Sequence, residues 1–209
     1  MQDRDRETEA RILRAARAVF IRRGTAGARM QEIAEEAGVN QALLHYYFRS
    51  KERLAATVFQ EAASRLLPAV LGIFGSDLPL AAKIERFVHI YIDTVRQSPF
   101  IPGYIVAELH HHPERLTAMI EAQGVKPSMV VAPLRAKLAA ELDAAAARGE
   151  IRQISPENFL LSLVGPVVMP FVARPALRIA LDIDDPEFER LLDERRDLLP
   201  QMILNSLRP

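Results

Sequence analysis

Residues 30–54, MQEIAEEAGVNQALLHYYFRSKERL, decide the fold, because each residue type in them has a positional reason if two short helices cross at a steep angle. Ile33 and Ala34 close one apolar face, and Ala34 is small where a following helix would press closest. Gly38 supplies the turn, since a helix that stops abruptly usually ends on a left-handed residue, which glycine adopts without steric cost. Val39 packs that turn onto the core. Asn40 is expected to cap the second helix, its side-chain oxygen accepting from a free backbone N–H two or three residues on. Leu44, Tyr47 and Phe48 then place apolar mass three to four residues apart on one face. The opposite face, with Asn40, Gln41, Leu43 and Tyr46, is left pointing outward, which is where a helix that reads DNA presents side chains to the major groove. The pattern is that of a helix-turn-helix.

Working outward, every periodic segment has a helical period. Thr8 is positioned to cap a first helix running to about Arg23, with Ile12, Leu13, Ala16, Val19 and Phe20 as its stripe and Gly24 as its stop. Ser50 caps a fourth helix, Glu52 sits beside the partial positive charge of its first turn, and Leu54, Val58, Phe59, Leu66 and Leu67 continue an apolar stripe. This helix, residues 51–67, is expected to link two domains. Pro68, Gly72, Gly75 and Pro79 break or kink the chain between about residues 68 and 79. Amphipathic segments follow near 80–97, 103–111, 114–122, 127–148, 156–173 and 186–206, punctuated by Pro99, Pro102, Pro113, Gly124 with Pro127, and Gly149. The pairs Ser155–Pro156 and Asp185–Pro186 read as a cap followed by Pro at the first helical position. With no alternating strand pattern, no repeat and no low-complexity run, the expected class is all-α.

The 209 residues, 49% apolar, suffice for a sizeable core. The absence of cysteine removes disulfides, thiolate metal sites and cysteine nucleophiles together, and suits a cytoplasmic setting. Met1 to Glu9 is charged rather than apolar, so no signal peptide is read there. The longest uncharged run, Asn158 to Ala173, has 16 residues interrupted by Gly165, Pro166 and Pro170, short of the roughly 20 apolar residues a bilayer requires, and no membrane partner is expected. The net charge is zero, but residues 1–60 hold 11 Lys and Arg against 8 Asp and Glu, +3, and the remainder 16 against 19, −3. The sign of the asymmetry suits phosphate neutralisation by the N-terminal part.

These N-terminal residues resemble the DNA-binding domain of the TetR family of bacterial transcription regulators. Arg11, Ile12, Leu13, Ala15, Ala16, Phe20 and Gly24 resemble its first helix, and Met30, Ile33, Ala34, Ala37, Gly38 and Val39 its second helix and turn. Leu44, Tyr46, Tyr47, Phe48, Ser50, Lys51 and Leu54 match the closing signature. The resemblance implies a helix-turn-helix domain over residues 1–50, linked through helix 51–67 to a helical ligand-binding and dimerisation domain over 51–209. It also implies a repressor that binds a palindromic double-stranded DNA operator as a homodimer and is released by a small apolar or amphipathic effector, with no enzymatic activity and no cofactor. Two positions depart from the family pattern. Ala28 and Arg29 stand where Ser or Thr usually caps the second helix, and His45 replaces a common Tyr.

Phosphate contacts set register and base-edge contacts read sequence. Arg29, His45, Tyr47 and Lys51 are assigned to the first class, Gln31, Asn40, Gln41, Leu43 and Tyr46 to the second; Tyr47 and Phe48 also suit plain packing. Gln41 has the geometry for bidentate pairing with adenine, and Leu43 for resting on a thymine methyl. Dimerisation is expected from the helices near 156–173 and 186–206, the first so apolar that it reads as buried on all sides. Phe87, Tyr91, Phe100, Tyr104, Met119 and Met129 offer apolar walls with two hydroxyls for a small molecule, although such stripes equally suit core.

His110, His111 and His112 do not make a metal site by themselves, since consecutive helix residues lie about 100° apart. Glu108 with His111 and His89 with Asp93 are the remaining pairs for a rival reading, a helical-bundle metal-dependent enzyme. A di-iron carboxylate bundle needs two Glu-x-x-His motifs plus two further Glu, and only one such motif is present. A third reading keeps the DNA-binding domain and gives the C-terminal part dimerisation alone.

Overall fold

The computed structural model describes residues 2–64, 66–121 and 126–209, with the backbone alone for residues 2–4 and 119. The described residues form α-helices and their connections, with no strand among them. They group into two compact units, one comprising Met1–Ser64 with Gly103–Met119, the other Arg65–Pro102 with Ile120–Pro209.

In the N-terminal unit, helix α1 (Gln2–Gly27) buries Ile12, Ala15, Ala16, Val19 and Phe20, one stripe at helical spacing. Gly24 (φ 67°, ψ 162°) interrupts it where the sequence places the stop. Thr8 lies well inside α1 rather than at its start, because the helical residues continue back to Gln2. Helix α2 (Met30–Ala37) ends on Gly38 at φ 63°, ψ 37°, where Val39 N–H donates to Ala34 O and Gly38 N–H to Glu35 O, both at 3.0 Å. Helix α3 (Gln41–Phe48) begins with the expected cap: the Asn40 carboxamide oxygen accepts from Leu43 N–H at 2.7 Å. Ion pairs Arg22–Glu36 at 2.7 Å and Arg23–Glu32 at 3.5 Å tie α1 to α2. Helix α4 (Lys51–Ser64) starts at the Ser50 hydroxyl, which accepts from Arg53 N–H at 3.3 Å.

Much of α7 (Ile101–His111) and α8 (Glu114–Glu121) also belongs to this unit. The ring of Tyr104 stacks on Phe20 at 6.3 Å and its hydroxyl donates to Ala55 O at 3.3 Å. Glu108, only 4% exposed, accepts a hydrogen bond from the Thr25 hydroxyl and pairs with Arg115. A carboxylate removed from water is tolerable only with partners of this kind. In the structure α4 and most of α7 group with the helix-turn-helix.

The C-terminal unit is built on helices α5 (Leu67–Gly75), α6 (Leu80–Arg96), α9 (Pro127–Ala147), α10 (Pro156–Val172), α11 (Arg174–Leu181) and α12 (Asp185–Ser206). Ile84, Phe87, Val88, Tyr91, Ile92 and Val95 line the inner face of α6 and meet Leu138, Leu142, Phe159, Leu163, Phe188 and Leu192 from α9, α10 and α12. Lys83 is wholly buried yet satisfied, donating to both Glu141 carboxylate oxygens at 2.7 Å. Arg196 clamps Asp93 at 3.0 and 3.1 Å, fixing α12 on α6. Ser155 caps α10, and Asp184 with Glu187 forms a capping box on α12.

Three expectations are corrected here. The stretch 68–79 is not a simple break, because Pro68 stands in the first turn of α5, where its missing N–H has no intrahelical partner to lose. The same logic applies to Pro175 and α11, a helix the sequence reading left unassigned. Finally, α10 is not buried on all sides: Phe159, Leu163, Val167 and Phe171 face the core, whereas Leu161 is 72% exposed and Val164 and Met169 are also exposed. No single helix among the described residues is long and apolar enough to cross a membrane.

Candidate nucleic-acid interface

The chemistry of this surface follows from how α3 is held. Leu44 and Phe48 anchor one face, Asn40 closes the N-terminus, and Gln41, Ala42, His45 and Tyr46 are left exposed. Tyr46 is 78% exposed and stands edge-on against Tyr47 at 5.3 Å. A large aromatic left in water on a rigid short helix has no packing role in the isolated chain, so it is available to a partner.

The structure places the residues assigned to base edges as follows. Gln41 is exposed and Leu43 half-buried on α3, while the Asn40 carboxamide oxygen is committed to the helix cap. Gln31 is exposed on α2 and donates to Glu35 at 2.9 Å. Of the residues assigned to phosphate, Arg29 is exposed just before α2, whose N-terminus carries no side-chain cap. Lys51 donates to Ala26 O at 3.1 Å and to Ala28 O at 3.2 Å, bracing the connection from α1 to α2. An ammonium has three donors, so one is left for phosphate. The His45 Nδ1 lies 3.1 Å from Arg49 O and must donate to that carbonyl, leaving Nε2 facing outward. The Tyr47 hydroxyl donates to Asp5 at 3.2 Å. Burial, then that hydrogen bond and the nearby negative charges, push the Tyr47 phenol above its usual range.

Sequence reading missed the residues on the wall facing Tyr47. A groove of about 400 Å³ between the start of α1, the end of α3 and the start of α4 is lined by Glu9, Tyr46, Tyr47, Arg49 and Arg53 among others. Arg49 holds φ 59°, ψ −44°, with Ser50 N–H donating back to Phe48 O at 2.6 Å, a γ-turn that an L-residue adopts only at a cost in strain. The only sequence signal for it was an arginine adjacent to the Ser50–Lys51 pair.

The six residues proposed to line a small-molecule site are not all brought together. Phe87 and Tyr91, on α6, join Phe74 and Phe171 in an aromatic cluster with ring centroids 5.8 to 6.0 Å apart, inside the C-terminal unit. The Tyr91 hydroxyl has no hydrogen-bond partner among the described residues, although the residue is only 6% exposed, and burial raises its pKa. Tyr104 belongs to the N-terminal unit, and Phe100 and Met129 are exposed. The side chain of Met119 lies outside the described residues. Separately, Leu71, Gly75, Val130, Pro133, Leu134 and Lys137 line a mostly apolar cleft of about 310 Å³.

The two carboxylates of the metal-enzyme reading have other partners: Asp93 is held by Arg196, and Glu108 by Thr25 and Arg115. Among the described residues no three His, Asp or Glu side chains gather as a donor set.

The N-terminal unit is thus a helix-turn-helix module with a polar and aromatic face turned outward. Comparison with known proteins agrees. The model of the family described as bacterial regulatory proteins, tetR family, matches residues 12–58. The transcriptional repressor SCO4008 of Streptomyces coelicolor is 35% identical over 120 residues, 55% of this chain and 61% of that protein. The transcriptional regulator RutR of Escherichia coli K12 is 36% identical over 88 residues, 42% of this chain and 41% of its own length. The chain therefore spans about half the length of the curated relatives it matches. A crystal structure of a TetR family transcription regulator from Marinobacter aquaeolei VT8 shares the fold along 99% of this chain and 98% of its own, with TM-score 0.65 at 18% identity. Residues 12–58 are thus similar to the DNA-binding part of tetR-family regulators, and the fold of the whole chain is shared with a solved member of that family.

Proposed function

We propose that this protein is a transcriptional regulator, a homodimeric repressor that binds a palindromic operator and is released by a small molecule held in its C-terminal unit. The observation that carries the reading is the exposed face of α3, with Gln41 and Tyr46 on a helix whose cap and anchors leave them nothing else to do. One short helix in a groove gives little affinity, so such modules act in pairs on half-sites about 34 to 36 Å apart. The apolar residues left in water on α10 and α12, Leu161, Val164, Met169, Leu198 and Met202, support a second copy of this chain as the partner. The repressor name carried by one relative supports the sign of regulation.

Release requires that the effector favour a conformation in which the two reading helices are wrongly spaced. Swinging the population from 1:99 to 99:1 takes a differential affinity of about 10⁴, roughly 5.5 kcal/mol. The chain passes between the two units at three places, after Ser64, Pro102 and Met119, so the coupling runs through these connections. The middle segment enters the N-terminal unit as α7, where Glu108 grips Thr25 of α1. Within the C-terminal unit, the unpartnered Tyr91 hydroxyl beside Phe87 is the group proposed to bind the effector. Residues 51–67, expected from sequence to link the two domains, include Arg65, which lies outside the described residues.

The test is selection of bound sites from random duplexes, followed by titration of the selected site and of random duplex. Gln41→Ala is expected to change the preferred base, whereas Lys51→Ala weakens all sequences alike and shallows the salt dependence by about one ion. A purified protein that is monomeric and selects no site at low salt would defeat the proposal.

A further inference from the structure

The groove beside Tyr47 has two walls of opposite charge that do not neutralise each other. On one side stand Asp5 and Glu9, one helical turn apart on α1; on the other stand Arg49 and Arg53, at the end of α3 and the start of α4. None of the four takes part in an ion pair among the described residues. Between them the Tyr47 hydroxyl donates to Asp5 at 3.2 Å, and both carboxylates contribute to the rise in the Tyr47 pKa, after burial and the hydrogen bond itself.

This arrangement is unexpected on the flank of a helix that reads DNA. A phosphate lying along this groove would take its hydrogen bonds from Tyr47, Arg49 and Arg53, and it would meet two carboxylates at the same place. We propose that Asp5 and Glu9 are an electrostatic brake on DNA binding. Asp5 competes with phosphate for the Tyr47 proton, and both carboxylates repel the strand that approaches Arg49 and Arg53. The brake is sequence-independent, because nothing in it touches a base. Its consequence is a lowered affinity for DNA in general, which keeps the regulator from being held on the great excess of non-specific sites. The inference rests on the DNA-binding reading above and goes beyond it by naming residues that oppose binding.

The experiment compares Asp5→Asn, Glu9→Gln and the double variant with the parent protein by fluorescence anisotropy, on a selected site and on a random duplex, from low to moderate salt. Both positions are exposed, so the amides should leave the fold intact, which a thermal melt checks. Each single variant is expected to bind both duplexes about threefold more tightly and the double variant about tenfold, the usual scale for exposed charges. The gain should be equal on the two duplexes and should shrink as salt screens it. In a Tyr47→Phe background the gain from Asp5→Asn should fall, since the competition for a proton is gone, while the gain from Glu9→Gln persists. Binding unchanged or weakened by Asp5→Asn and Glu9→Gln, while the parent binds DNA, would overturn the brake and leave the regulator reading standing. If parent and variants alike bind no duplex, both readings fall together. A double variant that binds where the parent does not would support the brake.

Discussion

The two units of this protein spend their residues differently. In the N-terminal unit the reading surface is made by local devices, Gly38 turning the chain and Asn40 capping α3, and small side chains such as Ala34 and Ala37 let the helices approach. In the C-terminal unit large apolar side chains from α6, α9, α10 and α12 fill one continuous core, and what is left over is an apolar face in water. The difference teaches where each unit is vulnerable. A module built on turns fails at single backbone positions, whereas a packed bundle fails where a charge or cavity is introduced.

The largest single effect is expected where the N-terminal unit departs from that scheme and relies on a buried charge. Glu108→Gln removes the partner of Arg115, itself about 90% buried, and leaves its guanidinium without compensation. Breaking a buried pair from one side typically costs about 3 kcal/mol or more. Chemical denaturation should show that loss in the N-terminal unit; a change below about 1 kcal/mol would mean that Glu108 is not what holds α7 there.

Next comes the exposed face of the C-terminal unit. Leu161→Arg places a charge where the proposal puts a second copy, while in the single chain the side chain is mostly in water. The melting temperature of the monomer should barely change. Sedimentation should show dissociation at micromolar concentration, and operator affinity should fall by about a hundredfold, roughly 2.7 kcal/mol, as the second half-site contact is lost. An unaltered dimer would move the interface off α10.

Tyr91→Phe sharpens the comparison from inside. Since the hydroxyl has no partner among the described residues, its removal should leave stability unchanged or slightly raised. Effector affinity should fall by about tenfold, the worth of one hydrogen bond that the free protein leaves unmade. Operator binding without effector should be unaffected.

Gly38→Ala then tests the claim that the reading surface depends on a backbone position. No atom lies within 4 Å of a β-carbon built there, so no clash contributes. The expected loss, about 1 kcal/mol, comes from the left-handed φ of 63° alone. A larger loss would show that the turn packs more tightly than its open surroundings indicate.

What was legible in the sequence follows the same division. Gly38, Asn40 and Ser155 act on backbone groups a few residues away, so their roles can be read from spacing, whereas the cap of α12 is Asp184 and not the expected Asp185, which is already the first residue of the helix. The packing of α7 onto the N-terminal unit was not legible, because it joins Thr25 to Glu108 and Phe20 to Tyr104 across some 80 residues that carry no local mark of it. Helix α5 was missed because Pro68 was read as a break although it occupies a first turn, and α11, which also carries its Pro in the first turn, was left unassigned. In the reading surface, exposure of Gln41 and Tyr46 followed from helical phase, while Asp5, Glu9, Arg49 and Arg53 come together only when α1 crosses the end of α3.

The smallest effect concerns His45, where the fold decides what the side chain can offer. A neutral imidazole has one N–H, and Nδ1 already donates it to Arg49 O at 3.1 Å. The outward Nε2 is then an acceptor and cannot bond a phosphate oxygen. Only the imidazolium carries a proton at both nitrogens, so a phosphate contact through His45 exists only in the charged form. His45→Gln puts a neutral side-chain N–H donor at this position and should therefore tighten binding by a few-fold, on operator and random duplex alike, because the contact is to backbone. Binding weakened by the substitution would leave His45 as a brace for the strained Arg49 turn.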